Sequence, residues 1–97
     1  MEGRPHISPD VLARYAADAA LEVNGVEALV KERVRRHDGV RVSGSDGSVA
    51  VEVHLRVSAG ISIPALGREV QERVAGYLER MTGSAPAVVD IVVHEIG

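Results

Sequence analysis

Ninety-seven residues, 45% of them apolar and 26% charged, make one domain with its own core rather than a disordered chain. A net charge of −3, from 14 acidic and 11 basic residues, gives no general attraction for nucleic acid, and only Tyr15 and Tyr77 could stack on a base or a sugar. The absence of cysteine excludes disulfides, thiolate catalysis and thiolate metal ligation.

Residues 1–7 (MEGRPHI) read as a loosely held lead with no signal-peptide core. No stretch approaches the roughly 18–20 apolar residues of a membrane span. A soluble intracellular domain is the expectation. Ser8 and Pro9 then start a helix, because a serine hydroxyl caps free backbone N–H groups and proline suits the first helical position. Asp10 places negative charge in the first turn, where the helix dipole favours it. Val11, Leu12, Tyr15, Ala16, Ala19, Ala20 and Val23 recur at helical spacing as one apolar stripe, rich in alanine and suited to close approach. Asn24 and Gly25 stop the helix, with Gly25 able to adopt the left-handed cap conformation.

Val26–Val30 fits either a short strand or an extra turn, and is read as a short edge strand. The KERVRRHD segment (Lys31–Asp38) is read as an exposed connection. Val40 and Val42 alternate before the turn residues Gly44–Gly47 (GSDG), and Val49, Val51, Val53, Leu55 and Val57 alternate after them. That is a β-hairpin with one core face. Glu52, His54, Arg56 and Ser58 point to the opposite, wetter side. Ser62 and Pro64 open a second helix whose buried stripe is Ile63, Leu66, Val70, Val74, Tyr77, Leu78 and Met81, and Gly83 ends it. Pro86 forces extension into a last strand, Ala87–Ile96.

In that last strand Val89, Ile91 and Val93 face one way, while Val88, Val92 and Ile96 face the other beside Asp90 and His94. A strand apolar on both sides is usually central, or covered on its second face. A helix of about nineteen residues spans roughly 28 Å and a ten-residue strand roughly 33 Å, lengths that match a right-handed crossover between parallel strands. The predicted fold is α+β: a two-layer sandwich of a small mixed sheet, three to four strands, with two helices on one face, in the order α-(β)-β-β-α-β. Residues 1–97 form a single domain. Two helices cover one face of the sheet, so the other is free for a second subunit.

The ordered set ISPDVLARYAADAALEVNGV (Ile7–Val26), DGSVAVEVHLRVSAGISIP (Asp46–Pro64), REVQERVAGYLERMTG (Arg68–Gly83) and VDIVVHEIG (Val89–Gly97) resembles the alkaline shock protein family. These are small bacterial proteins linked to envelope and general stress, common in Gram-positive lineages. The resemblance implies a non-enzymatic cytoplasmic protein that self-associates. In some members a membrane-anchored partner recruits it to the inner membrane face. The family offers no agreed catalytic, metal or cofactor residues to carry over.

The remaining candidates come from the residues alone. Val88, Val92, His94, Ile96, Glu52, His54 and Arg56 form the candidate interaction face, and Lys31, Arg33, Arg35 and Arg36 a candidate patch for an anionic partner or lipid headgroups. Gly44–Gly47 matches the GxxG of RNA-binding KH domains, but an ordinary hairpin turn needs the same residues, so a KH-like nucleic-acid module is the alternative function. His6, His37, His54 and His94 lack metal-ligand spacing. His54 and His94 could still meet across adjacent strands beside Glu52 or Asp90, either as a weak metal site or as plain surface residues. The serines lack a nearby histidine and acid, and carboxylates such as Glu69 pair along the helix with Arg73. Function is therefore expected to lie in docking and not in catalysis.

Overall fold

The computed structural model describes residues 8–30, 39–44 and 48–97. Along the chain run α1 (Pro9–Leu21), β1 (Val26–Leu29), β2 (Val40–Ser43), β3 (Ala50–Val57), α2 (Ile63–Thr82) and β4 (Val88–Ile96). This is the predicted α+β order, with β1 a strand and not a turn. The lead and the KERVRRHD connection lie outside the described residues, as do Ser45, Asp46 and Gly47 of the turn.

Both helices start where serine and proline place them. Ser8 Oγ accepts from the Val11 N–H at 3.3 Å, and Ser62 Oγ accepts from the Ala65 N–H at 3.4 Å. Each satisfies a donor that the first turn leaves without an intrahelical partner. Ser62→Ala is expected to cost about 1 kcal/mol, which lowers the melting midpoint by about 4–8 °C in a domain of this size; thermal denaturation followed by circular dichroism measures it. Gly83 ends α2 at φ 85°, donating its N–H to the Glu79 carbonyl at 2.8 Å. The end of α1 differs from expectation. Tight bonds from Glu22 N to Ala19 O and from Val23 N to Ala20 O close it early, and Val23 drops into the core. Gly25, at φ 100°, shapes the turn into β1 instead of capping the helix.

The sheet is mixed, with β3 at its centre. β1 and β2 both pair antiparallel with one edge of β3, Val26 opposite Val57 at one end and Ser43 opposite Ala50 at the other. They lie end to end, so together they act as one interrupted strand. The Val30 N–H donates to the His54 carbonyl at 2.9 Å, and the His54 N–H donates to the Gly39 carbonyl at 2.8 Å. The chain thus leaves that edge and rejoins it on either side of His54. β4 runs parallel to β3 along the other edge, from Ala50 opposite Val88 to Val57 opposite Ile96.

The core lies between the helices and one sheet face. Val40, Val51, Val53, Leu55, Val57 and Val89 meet Ala13, Ala16, Ala19, Ala20 and Val23 of the α1 segment and Leu66, Val70, Val74 and Leu78 of α2. Leu12, Tyr15, Ile63 and Tyr77 pack against it half-buried, and two stripe members are exposed. Val11 is exposed while Ala13 is buried, because at about 100° per residue Val11 lies some 140° around the helix from Ala16. Met81 sits at the core-facing angle of α2 but is 43% exposed, so the final turn runs past the packed layer. Tyr15 and Tyr77 meet edge to face at 5.7 Å, a packing that puts both aromatics of the chain at the α1–α2 contact.

The last strand corrects a further expectation. Among the described residues β4 pairs with β3 alone, so it is an edge strand and not a central one. Its apolar residues on both sides do not reflect burial between neighbours: Val88 is 43% exposed and Ile96 is 59% exposed.

Candidate functional site

The face of the sheet away from the helices is built by strict alternation. Core-facing Val51, Val53 and Leu55 leave Ala50, Glu52, His54 and Arg56 on the open side, and register places Ser43, Arg41 and Ala28 beside them from one edge and Val88, Asp90 and Val92 from the other. A register shift between Leu55 and Arg56 adds one residue to β4 there. His94 occupies that bulge and reaches the open face, while Ile96 falls beside core-facing Val57. Ile96 therefore does not share a face with Val88 and Val92 as simple alternation from the sequence implies.

This open face is more polar than its β4 residues suggested. Arg41 Nη1 stands 3.9 Å from Glu52 Oε1, and Arg56 Nε stands 3.3 Å from Glu27 Oε1. Ser58 donates its hydroxyl to Glu27 Oε2 at 3.0 Å. Between these two pairs His54 Nδ1 meets His94 Nε2 at 2.5 Å, with ring centroids 4.8 Å apart. Glu52 Oε1 lies 3.2 Å from His54 Nε2, close enough for a charge to be felt though off the line of a hydrogen bond. A row of polar contacts thus crosses the sheet from β2 through β3 to β4. Arg41, Ser43, Glu52 and Asp90 also line a shallow hollow of about 230 Å³ on this face.

His54 is the largest departure from the sequence reading. Alternation puts it on the wetter side, yet it is 6% exposed. Central-strand position flanks it with neighbours on both edges, and the His94 ring closes over it. No local signal announces this, because the covering residue lies forty positions later. The candidate face from the sequence is thus brought together in Glu52, His54, Arg56, Val88, Val92 and His94, with Ile96 turned to the other side of the pleat.

Other candidates separate. Lys31, Arg33, Arg35 and Arg36 lie outside the described residues, as do His6 and His37. Gly44 to Gly47 joins β2 to β3 and not one helix to another. Glu69 and Arg73 form the expected helical ion pair at 3.8 Å, and Arg73 also reaches Glu22 at 3.3 Å. No group of three His, Cys, Asp or Glu side chains among the described residues is placed to hold one metal ion. No helix among the described residues is long and apolar enough to cross a membrane.

The edge of β4 is partly guarded. Gln71 of α2 donates its side-chain N–H to the Val89 carbonyl at 2.9 Å, occupying one backbone acceptor of a nine-residue strand. Edge strands left open in this way present backbone donors and acceptors to any chain that can lie alongside.

Comparison with known proteins places these features in a family. YqhY of Bacillus subtilis, described as an uncharacterized protein, is 32% identical over 105 residues, covering 98% of this chain and 76% of its own. Spy1614 of Streptococcus pyogenes, with the same description, is 26% identical over 107 residues, covering 98% of this chain and 88% of its own. Among solved structures, a histidine-to-alanine variant of the MamM CTD superposes with a TM-score of 0.60 at 11% identity, over 91% of this chain and 98% of that one. Other MamM CTD variants of the same likeness are solved as nickel and cadmium forms. At such low identity the likeness concerns the fold alone. A model of the alkaline shock protein 23 family, described as cell envelope-related in function, matches residues 1–97. The chain belongs to the alkaline shock protein 23 family.

Proposed function

We propose that this protein is a non-catalytic interaction module of the cell envelope, which docks a second copy of itself and partner proteins along β4. The observation that carries the reading is the open outer edge of β4, with exposed Val88 on one side of the pleat and exposed Ile96 on the other. An edge strand binds by adding a strand to the sheet, with backbone hydrogen bonds supplying affinity and flanking side chains supplying selectivity. The polar row on the open face (Arg41–Glu52, His54–His94, Arg56–Glu27) argues against that face as a broad apolar interface, and so shifts docking toward the edge. The family description, cell envelope-related in function, supports the envelope setting. A stress-response role on the cytoplasmic side, with a membrane-anchored protein as the larger partner, follows the same family reading. The Lys31, Arg33, Arg35 and Arg36 patch is its candidate anionic contact.

Light scattering coupled to size-exclusion chromatography tests the reading at high micromolar concentration. The unaltered protein is expected to run as a dimer or larger. Val88→Glu and Ile96→Glu should each weaken association by about tenfold or more, equivalent to about 1.4 kcal/mol, without moving the melting midpoint. A clean monomer at every concentration sinks the self-docking half of the proposal.

A further inference from the structure

We infer that His54 and His94 form a proton-sensitive clasp between β3 and β4, closed while one proton at most lies between the two rings and opened by a second. The inference begins with the 2.5 Å separation of His54 Nδ1 and His94 Nε2. Two ring nitrogens that face each other so closely share a single hydrogen: one donates and the other accepts. A neutral pair satisfies this, and so does a pair carrying one extra proton, since a single imidazolium donates to its neutral neighbour. Two imidazolium rings do not. Each then bears hydrogen on both nitrogens, so two N–H groups and two positive charges would confront each other where one hydrogen fits.

Charged groups stand around the pair on the same face of the sheet. On the same face Glu52 of β3 approaches His54 at 3.2 Å, and Asp90 of β4 pairs in register with Glu52. Arg41 of β2 stands beyond Glu52 at 3.9 Å, and Arg56 of β3 is engaged with Glu27 of β1 at 3.3 Å. Both helices pack on the opposite side of the sheet.

The ring that yields is His94. His54 is almost wholly buried on the central strand, with its backbone bonded to Val30 and Gly39, whereas His94 is exposed and sits in a bulge on an edge strand. The closed arrangement holds at most one extra proton and the open one holds two. By linkage, acidification therefore favours opening, by up to about tenfold per pH unit once the second proton is taken up. The sign is fixed: the contact is intact at high pH and is lost on acidification.

This goes beyond the docking proposal and does not depend on it, because its test reads one molecule's own β4 and not its association. Proton NMR of the unaltered protein should show a cross-relaxation contact between the two imidazole rings at pH 8 that disappears by pH 5. Amide hydrogen exchange along Val92–Ile96, taken as a ratio to the His94→Gln variant at each pH, should rise by up to about tenfold per pH unit below that transition. Glutamine at this exposed position cannot take a proton, so the ratio cancels the ordinary pH dependence of exchange. A ring contact that persists at pH 5, or an exchange ratio constant from pH 8 to pH 5, overturns the inference.

Discussion

Leu55→Ala is expected to remove about 2–5 kcal/mol of stability, the largest loss of any single truncation in this domain. Leu55 lies fully buried on the central strand, opposite Leu29 of β1 on one side and Val93 of β4 on the other. It thus packs where the two edges of the sheet and the helical layer share one core. Truncation leaves a cavity among branched side chains held by backbone pairing on both sides, so the walls cannot collapse to fill it. A domain of this size has about 5–15 kcal/mol in total, so the variant keeps a reduced margin and melts about 10 °C or more lower. Leu55→Met, nearly equal in volume, should cost less than about 1.5 kcal/mol. Urea unfolding of the three proteins measures the effect. A loss below 1 kcal/mol for alanine would show that the sheet centre is not the core described above.

Much of this fold is legible from local chemistry. The Ser8–Pro9 and Ser62–Pro64 helix starts, the alternating valines of β2 and β3, and Gly83 at the end of α2 each state a conformation that neighbours a few positions away must satisfy. What was hidden is set by the sheet as a whole. An apolar run such as Val88–Val89 and Ile91–Val93 reports that a strand is wanted, but not whether a neighbour lies on each edge. β4 proves to be an edge strand with its second apolar side partly exposed. The end-to-end arrangement of β1 and β2 was equally hidden, because it depends on both returning to one edge of β3 across the connection between them.

The site shows the same division more sharply. Membership of the open face follows from alternation alone for Glu52, His54, Arg56, Val88 and Val92. The bulge at His94 does not, and it decides two things together: it brings His94 over His54 and turns Ile96 to the helix side. A residue inserted against a partner strand leaves no mark in the apolar pattern of its own strand. The His94 ring contact that helps bury His54 has the same origin, since it follows from β4 register and not from the residues beside it in sequence. The proton-sensitive contact could be suspected from two histidines on neighbouring strands, but it depends on the rings meeting nitrogen to nitrogen, which the bulge decides.

Ala16→Leu is expected to cost about 1–3 kcal/mol by the opposite mechanism, overpacking. Ala13, Ala16, Ala19 and Ala20 are all buried, so α1 meets its neighbours through methyl groups and can lie close to them. That spacing is shared by α2 and the sheet beneath. Three added carbons at Ala16 must therefore displace a whole helix or force neighbouring side chains off their rotamers. Helix propensity is not the cause, because leucine is nearly as good a helix former as alanine. Val11→Leu, on the far side of the same helix, supplies the control and should stay within about 0.5 kcal/mol of the unaltered protein. Urea midpoints measured with unchanged slopes distinguish a strained native state from an altered unfolded one. Equal midpoints for Ala16→Leu and Val11→Leu would mean that the alanine face does not set the distance between α1 and the layer it covers, and that the close helix packing read from the sequence has some other cause.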